Sequence, residues 1–290
     1  MRAVAVLAFL LASPAVAGCG GGSSSSAPPS LAEAATKSSS VRSMKFDLSM
    51  STTTPQLSQP VTLSASGASD NANHRMRMKI DMSSFAATLG GSTGGNPKDW
   101  RGVEVGDAAN GRLVVYMSLP FLTKLLPAHK PWIKMDLTAA GNRLGVDLSQ
   151  FTSLSANPAQ VLDWLRATSG TITKIGSERI GGVETTHYHA TIDLRKYPNL
   201  VPPARRAAMR RAVAALTRVA HVSTFPVDAW VGDDGLVRKL HVAISETING
   251  QTVGLRSTLR FHDFGTPVTV TLPPAAETFD LSKVGGGRIP

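Results

Sequence analysis

The sequence predicts an α+β fold dominated by one antiparallel sheet. Three observations carry this. Twelve short segments between residues 43 and 272 read as strands, several with strict alternation of apolar and polar residues. Asn-Gly, Gly-Gly and Asp-Gly pairs separate neighbouring segments, as hairpins require. Helical periodicity is confined to three stretches, near 31–37, 157–168 and 203–220.

The chain opens MRAVAVLAFLLASPAVAGCGGGSSSS, and its one cysteine, Cys19, stands where the apolar run stops. Arg2 is a minimal positive region and residues 3–11 an apolar core too short to span a bilayer. Val16-Ala17-Gly18-Cys19 resembles a bacterial lipobox, an aliphatic residue and two small ones before an acylated cysteine. Residues 1–18 are therefore expected to be a lipoprotein signal peptide. Cys19 would be lipidated and residues 19–30 a Gly/Ser-rich tether reaching about 20 Å. Acyl chains would hold the protein to the outer face of a cell membrane, each buried CH₂ contributing about 0.8 kcal/mol. With no second cysteine, the exported domain cannot form an internal disulfide.

The domain is expected over 31–284, with a flexible tail at 285–290. Pro28-Pro29 precedes a short helix, LAEAATK. Strands are expected at 43–52, 61–69, 74–82, 103–108, 112–119 and 132–137. Asn110-Gly111 turns one of these hairpins, and 90–98 is a flexible Gly-rich loop. Residues 119–127, apolar and bounded by prolines, form a loop or short helix. Asn157 caps a helix to 168, with Pro158 in its first turn. Strands return at 171–179 and 184–194, joined by Gly181-Gly182. A helix over 203–220 follows. Segments 227–231, 236–246 and 252–263 form a meander through the Asp233-Asp234-Gly235 and Asn249-Gly250 turns, and 268–272 closes the set.

The formal net charge of +10 points to anionic partners: lipid headgroups, acidic wall polymers or acidic glycolipids. Export excludes nucleic acid. Seven of the nine methionines fall on the apolar faces of predicted strands. These faces carry Met44, Phe46, Leu48 and Met50; Met76, Met78, Ile80 and Met82; Leu113, Val115, Met117 and Leu119; and Ile133, Met135 and Leu137. Methionine is unbranched and polarizable and serves surfaces that adapt to variable apolar partners. Aromatic residues are only 6% of the chain, so rigid fillers are scarce. Met44, Phe46, Met50, Met76, Met78, Ile80, Met82, Val115, Met117, Ile133 and Met135 are expected to line an acyl-chain cavity, or else to form a plain core. On the cavity reading, Met78→Asp or Met117→Asp abolishes lipid uptake in a protein that stays folded.

In the 203–220 helix, Met209, Val213 and Leu216 share one arc, while Arg206, Arg210, Arg211 and Arg218 fall opposite with no acid to neutralise them. The basic face is expected to meet anionic headgroups or a membrane.

No catalytic constellation is legible. Gly90-Gly91-Ser92-Thr93-Gly94 matches a nucleophile-elbow spacing but lacks the strand–turn–helix setting. His187 and His189 share a strand face, with no acidic or cysteine partner near them in sequence, so metal is not expected. Asp233-Asp234-Gly235 is a turn rather than a calcium loop. The protein is expected to be a monomer without catalysis, cofactor or metal.

The later segments are ordered in a telling way. Gly182-Val183-Glu184-Thr185-Thr186-His187-Tyr188 runs on to Asp193. Asp228-Ala229-Trp230-Val231 precedes Asp234-Gly235-Leu236-Val237. Phe261-His262-Asp263-Phe264-Gly265-Thr266-Pro267-Val268 leads to Pro273-Pro274. With the lipobox, this order resembles the actinobacterial lipoproteins of the LppX/LprA/LprF/LprG group, relatives in fold of the carriers LolA and LolB. The resemblance spans about 31–281. It implies a strongly curved antiparallel sheet, a half-barrel, with helices over its concave side and an apolar cavity for acylated lipids or glycolipids between them. It implies a carrier or chaperone of lipids and supplies no catalytic residues; a membrane transporter is a further candidate partner. The alternative is a surface lipoprotein without cargo that senses or scaffolds proteins or wall polymers.

Overall fold

The structure is a computed structural model that describes residues 30–57, 59–88, 96–109, 112–124, 126, 130–139, 158–220, 222–248 and 251–283. The expected leader, Cys19 and most of the tether lie outside the described residues. So do Ser92, Asn110-Gly111, Asn157, Asn249-Gly250 and the tail 285–290.

Helix α1 (Leu31–Ser39) starts at a capping box: Glu33 N–H donates to Ser30 Oγ and Ser30 N–H to Glu33 Oε2, at 3.2 and 2.8 Å. Leu31, Ala34, Ala35 and Ser38 form its buried side. Strands β1 (Ser43–Thr53), β2 (Val61–Asp70) and β3 (Arg75–Asp81) follow, then helix α2 (Ser83–Thr88). Strand β4 (Arg101–Asp107), β5 (Val114–Ser118), the single turn α3 (Pro120–Thr123) and β6 (Trp132–Asp136) complete the first half. The second half begins with a 3₁₀ segment, Pro158–Ala167, which runs into β7 (Thr168–Ile180) and β8 (Val183–Asp193). The turn Leu194–Lys196, α4 (Tyr197–Leu200) and α5 (Pro203–Ala220) lead to β9 (Thr224–Gly232), β10 (Val237–Ile248), β11 (Gln251–His262) and β12 (Thr278–Asp280).

All twelve strands join one sheet in the order β12-β6-β5-β4-β3-β2-β1-β11-β10-β9-β8-β7. Two meanders, β1 to β6 and β7 to β11, meet where β1 pairs with β11. That central ladder sets Phe46 opposite Phe261, Leu48 opposite Leu259 and Met50 opposite Ser257. Directly paired residues of antiparallel strands share a face. One face therefore runs unbroken from Met135 and Val115 through Gly106 and Met76 to β1, and on through Leu259, Leu240 and Ala229 to Tyr188. The α1 helix and the 3₁₀ segment pack on its second half, where Ser38 Oγ accepts the Val237 N–H at 2.8 Å. The main core joins Leu31, Ala34, Met44, Phe46, Met76, Leu162, Leu165, Ile192 and Phe261, among others.

Two positions on this face require glycine. A Cβ on Gly67 would sit 2.3 Å from the Arg77 carbonyl oxygen, and one on Gly102 would sit 2.1 Å from that of Ser118. Backbone oxygens cannot yield as a flexible side chain does.

The structure corrects three expectations and adds elements for which none was stated. The sheet is not wholly antiparallel, because β12 pairs parallel to β6. Residues 268–272 form no strand; Pro267, Pro273 and Pro274 bracket them and remove ladder donors. The expected 157–168 helix is a 3₁₀ helix over Pro158–Ala167. Short helices α2 and α4 were invisible, since one or two turns carry too little periodicity.

The β12–β6 pairing is clamped by charge. Burial alone would raise the Asp280 pKa. The Lys134 ammonium at 2.9 Å and hydrogen bonds from Ser282 instead hold it down to about 2, from an ordinary 3.8. A carboxylate depressed in the folded state stabilises fully above its unfolded pKa and loses that contribution as pH falls through the folded one. Asp280→Asn is expected to lower the melting temperature at neutral pH, with the deficit shrinking from about pH 4 to about pH 2. A deficit constant over that range would refute the clamp.

Candidate functional site

Alternation in β10 and β11 puts Leu240, Val242, Ile244 and Glu246, with Val253, Leu255, Ser257 and Leu259, on the inner face. Leu48 and Met50 of β1 extend this wall on one side, Val227 and Phe225 of β9 and Ile192 of β8 on the other. The 3₁₀ segment lays Val161, Trp164 and Leu165 across it, with Trp164 edge-on to Phe225 at 5.9 Å between ring centroids. Among the described residues this cover is partial. Met50, Val242, Ile244, Glu246, Val253, Leu255 and Ser257 stay half-buried, while Leu48, Val227, Leu240 and Leu259 on the same face are buried. The result is a cavity of about 440 Å³. Its lining of eighteen residues is apolar except for Glu246 and Ser257. The volume lies within the roughly 300–1,000 Å³ of small-molecule pockets. Such a wall supplies dispersion contacts and excludes water, and it offers almost nothing to a polar ligand.

The methionine-rich faces lie mostly elsewhere. Of the residues expected to line a cavity, Met50 lines this one. Met44, Phe46, Met76, Met78 and Ile80 are buried within the main core, and Met82 packs against it. Val115 and Met135 belong to a second, smaller cluster with Leu113; Ile133 is buried and Met117 half-buried. Their half of the face also carries a buried acid, Glu104, in register between Met78 and Met117. The wall itself is built of Val, Leu and Ile from β9 to β11, which the sequence presents as ordinary alternating strands. Among the four arginines, Arg210, Arg211 and Arg218 are exposed and Arg206 is half-buried, its Nε donating to the Val201 carbonyl at 3.3 Å.

The opposite face holds a polar cluster that sequence reading missed. Asp228 of β9 lies opposite His189 in register, and its Oδ1 is 2.9 Å from His187 Nε2 and 3.0 Å from His189 Nδ1. Burial would raise the Asp228 pKa, but the two imidazoles bring it below its ordinary value. His187 stacks on Trp230 at 4.2 Å, Lys239 Nζ sits 3.6 Å from the Trp230 ring centroid, and Trp230 Nε1–H donates to Glu178. The acid is 39 residues from His189 in sequence, which is why the histidines read as unpartnered. Among the described residues, no group of three or more His, Cys, Asp or Glu is arranged to hold a metal ion.

No protein-family model matches the chain. A curated relative, the uncharacterized 31.2 kDa protein of the rplA–rplJ intergenic region of Streptomyces griseus, is 33% identical over 171 residues. That match covers 56% of this chain, and the chain spans about half the length of the relative, 52%. Among solved structures, the chain is similar to the lipoprotein LppX of Mycobacterium tuberculosis, with a TM-score of 0.42 and 14% identity over 83% of this chain and 94% of that one. It is also similar to LprF of Mycobacterium bovis, with a TM-score of 0.39 and 11% identity over 84% of this chain and 94% of that one. Both are members of the group that the sequence resembles. No helix among the described residues is long and apolar enough to cross a membrane.

Proposed function

We propose that this protein is a non-enzymatic, extracytoplasmic lipoprotein that shelters acyl chains of a lipid or glycolipid in the cavity between β8–β11, β1 and the 3₁₀ segment. The observation that carries the reading is the cavity of about 440 Å³ with only Glu246 and Ser257 polar in its lining. An acyl chain moved from water into it would gain about 0.8 kcal/mol per buried CH₂. In this reading the sheet curls as a half-barrel around the chain, and acylated Cys19 keeps the loaded protein at the membrane. The cavity would carry or chaperone lipid between donor and acceptor.

The test is native mass spectrometry of the chain purified from a bacterial host without detergent. Discrete adducts that extract into organic solvent as acylated lipids are expected. Bare protein that takes up no added lipid would overturn the proposal and favour a sensor or scaffold of protein or wall partners.

A further inference from the structure

We infer that the basic face of α5, together with the start of β7, is a docking surface for an anionic phospholipid bilayer. The surface is defined by charge and exposure, and it stands whether or not the cavity holds lipid. Met209 is buried and Val213 packs on the main core, which fixes the roll of α5. Arg210, Arg211 and Arg218 are thereby left in solvent. Residues 168–220 contain nine basic residues against three acidic ones. Each of the three acids is already engaged: Glu178 by Lys239, Glu184 by Arg179 and Asp193 by Arg195. Among the described residues, Lys174, Lys196, Arg206, Arg210, Arg211 and Arg218 take part in no ion pair. The field of this region is therefore uncompensated at its own surface.

The apolar component lies beside it. Ile172 and Ile175, 38% and 57% exposed, are the large hydrophobic residues left exposed among those described. They flank Lys174 on the edge strand, where two register shifts against β8 interrupt the ladder. The β7 strand begins against the Leu194–Lys196 turn, with Lys196 Nζ donating to the Thr168 carbonyl at 3.2 Å, and α5 packs on the same turn. Cationic side chains and bare isoleucines thus flank one element. A bilayer answers both, with anionic headgroups for the arginines and the headgroup–acyl boundary for the isoleucines. An acidic protein or wall polymer answers only the first. Leu194, in the turn on which α5 packs, also lines the cavity.

The experiment uses the full chain mixed with vesicles of phosphatidylcholine and with vesicles that also contain phosphatidylglycerol. Amide hydrogen exchange is followed by mass spectrometry. Exchange over 171–176 and 203–220 is expected to slow severalfold on the anionic vesicles relative to the neutral ones. The effect should vanish at an ionic strength of about 1 M, where the Debye length is about 3 Å. The exposed triple variant Arg210→Gln/Arg211→Gln/Arg218→Gln should lose the difference while β1 and β11 exchange as in the parent. Ile172→Ser/Ile175→Ser should reduce it. Equal exchange on the two vesicle types, or an unaltered response in the arginine variant, would overturn the proposal. Protection indifferent to the isoleucine change would overturn the apolar part of the proposed surface.

Discussion

Val242→Trp, alone and combined with Val227→Phe, is expected to empty the cavity of lipid without unfolding the protein. The two valines face each other across β9 and β10 and both line the cavity. A larger side chain at a packed core position forces strain. Here it would grow into a void that is already apolar, so the melting temperature should hold or rise. The lipid would lose the same space. An affinity loss of at least about tenfold, about 1.4 kcal/mol, is expected from the single change, and loss of all adducts from the double one. Native mass spectrometry beside a thermal melt separates the two effects. Full lipid occupancy in a stable double variant would remove this cavity as the binding site.

Met78→Asp is expected to fail in the opposite way. The sequence reading makes it a cavity variant that stays folded, but Met78 is 8% exposed inside the main core and does not line the cavity. Removing its side chain costs what a large-to-small core change costs, and a carboxylate placed there adds the penalty of an unsolvated polar group. A loss of about 4 kcal/mol or more is expected, a large part of the stability of an ordinary domain. Met50→Asp is the informative contrast. Met50 is half-buried at the cavity wall, so its replacement should spare the fold and remove the lipid. Urea unfolding of the two variants checks this. A Met78→Asp protein as stable as the parent would show that this part of the face also opens onto a cavity.

The contrast shows how far the sequence could be read. In β1, Met44, Phe46 and Leu48 are buried and Lys45, Asp47 and Ser49 are exposed, as their alternation dictates. The same rule assigned faces in β3, where Met76, Met78 and Ile80 point inward. It could not say which inward residues touch another layer and which border a void, because Leu240 to Glu246 alternate just as Met76 to Met82 do. Methionine content pointed to the other half of the face from this cavity: methionine fills irregular cores as readily as it lines adaptable pockets. His187 and His189 were visible as a pair, while their acid, Asp228, reached them only through the β8–β9 register.

What the sequence determined by itself is local and chemical. It placed a lone cysteine behind an apolar run, assigned most strands and their two faces, and gathered arginines with no acid on one helix. These follow from side-chain periodicity and charge, which neighbouring residues settle among themselves. Tertiary structure decided what depends on contacts between distant segments. The β1–β11 ladder merged two meanders into one face, and among the described residues the ten-residue 3₁₀ segment covers only part of it. The cavity lies where the described residues leave that apolar face without a full second layer, and no residue's own preference records which segment covers it.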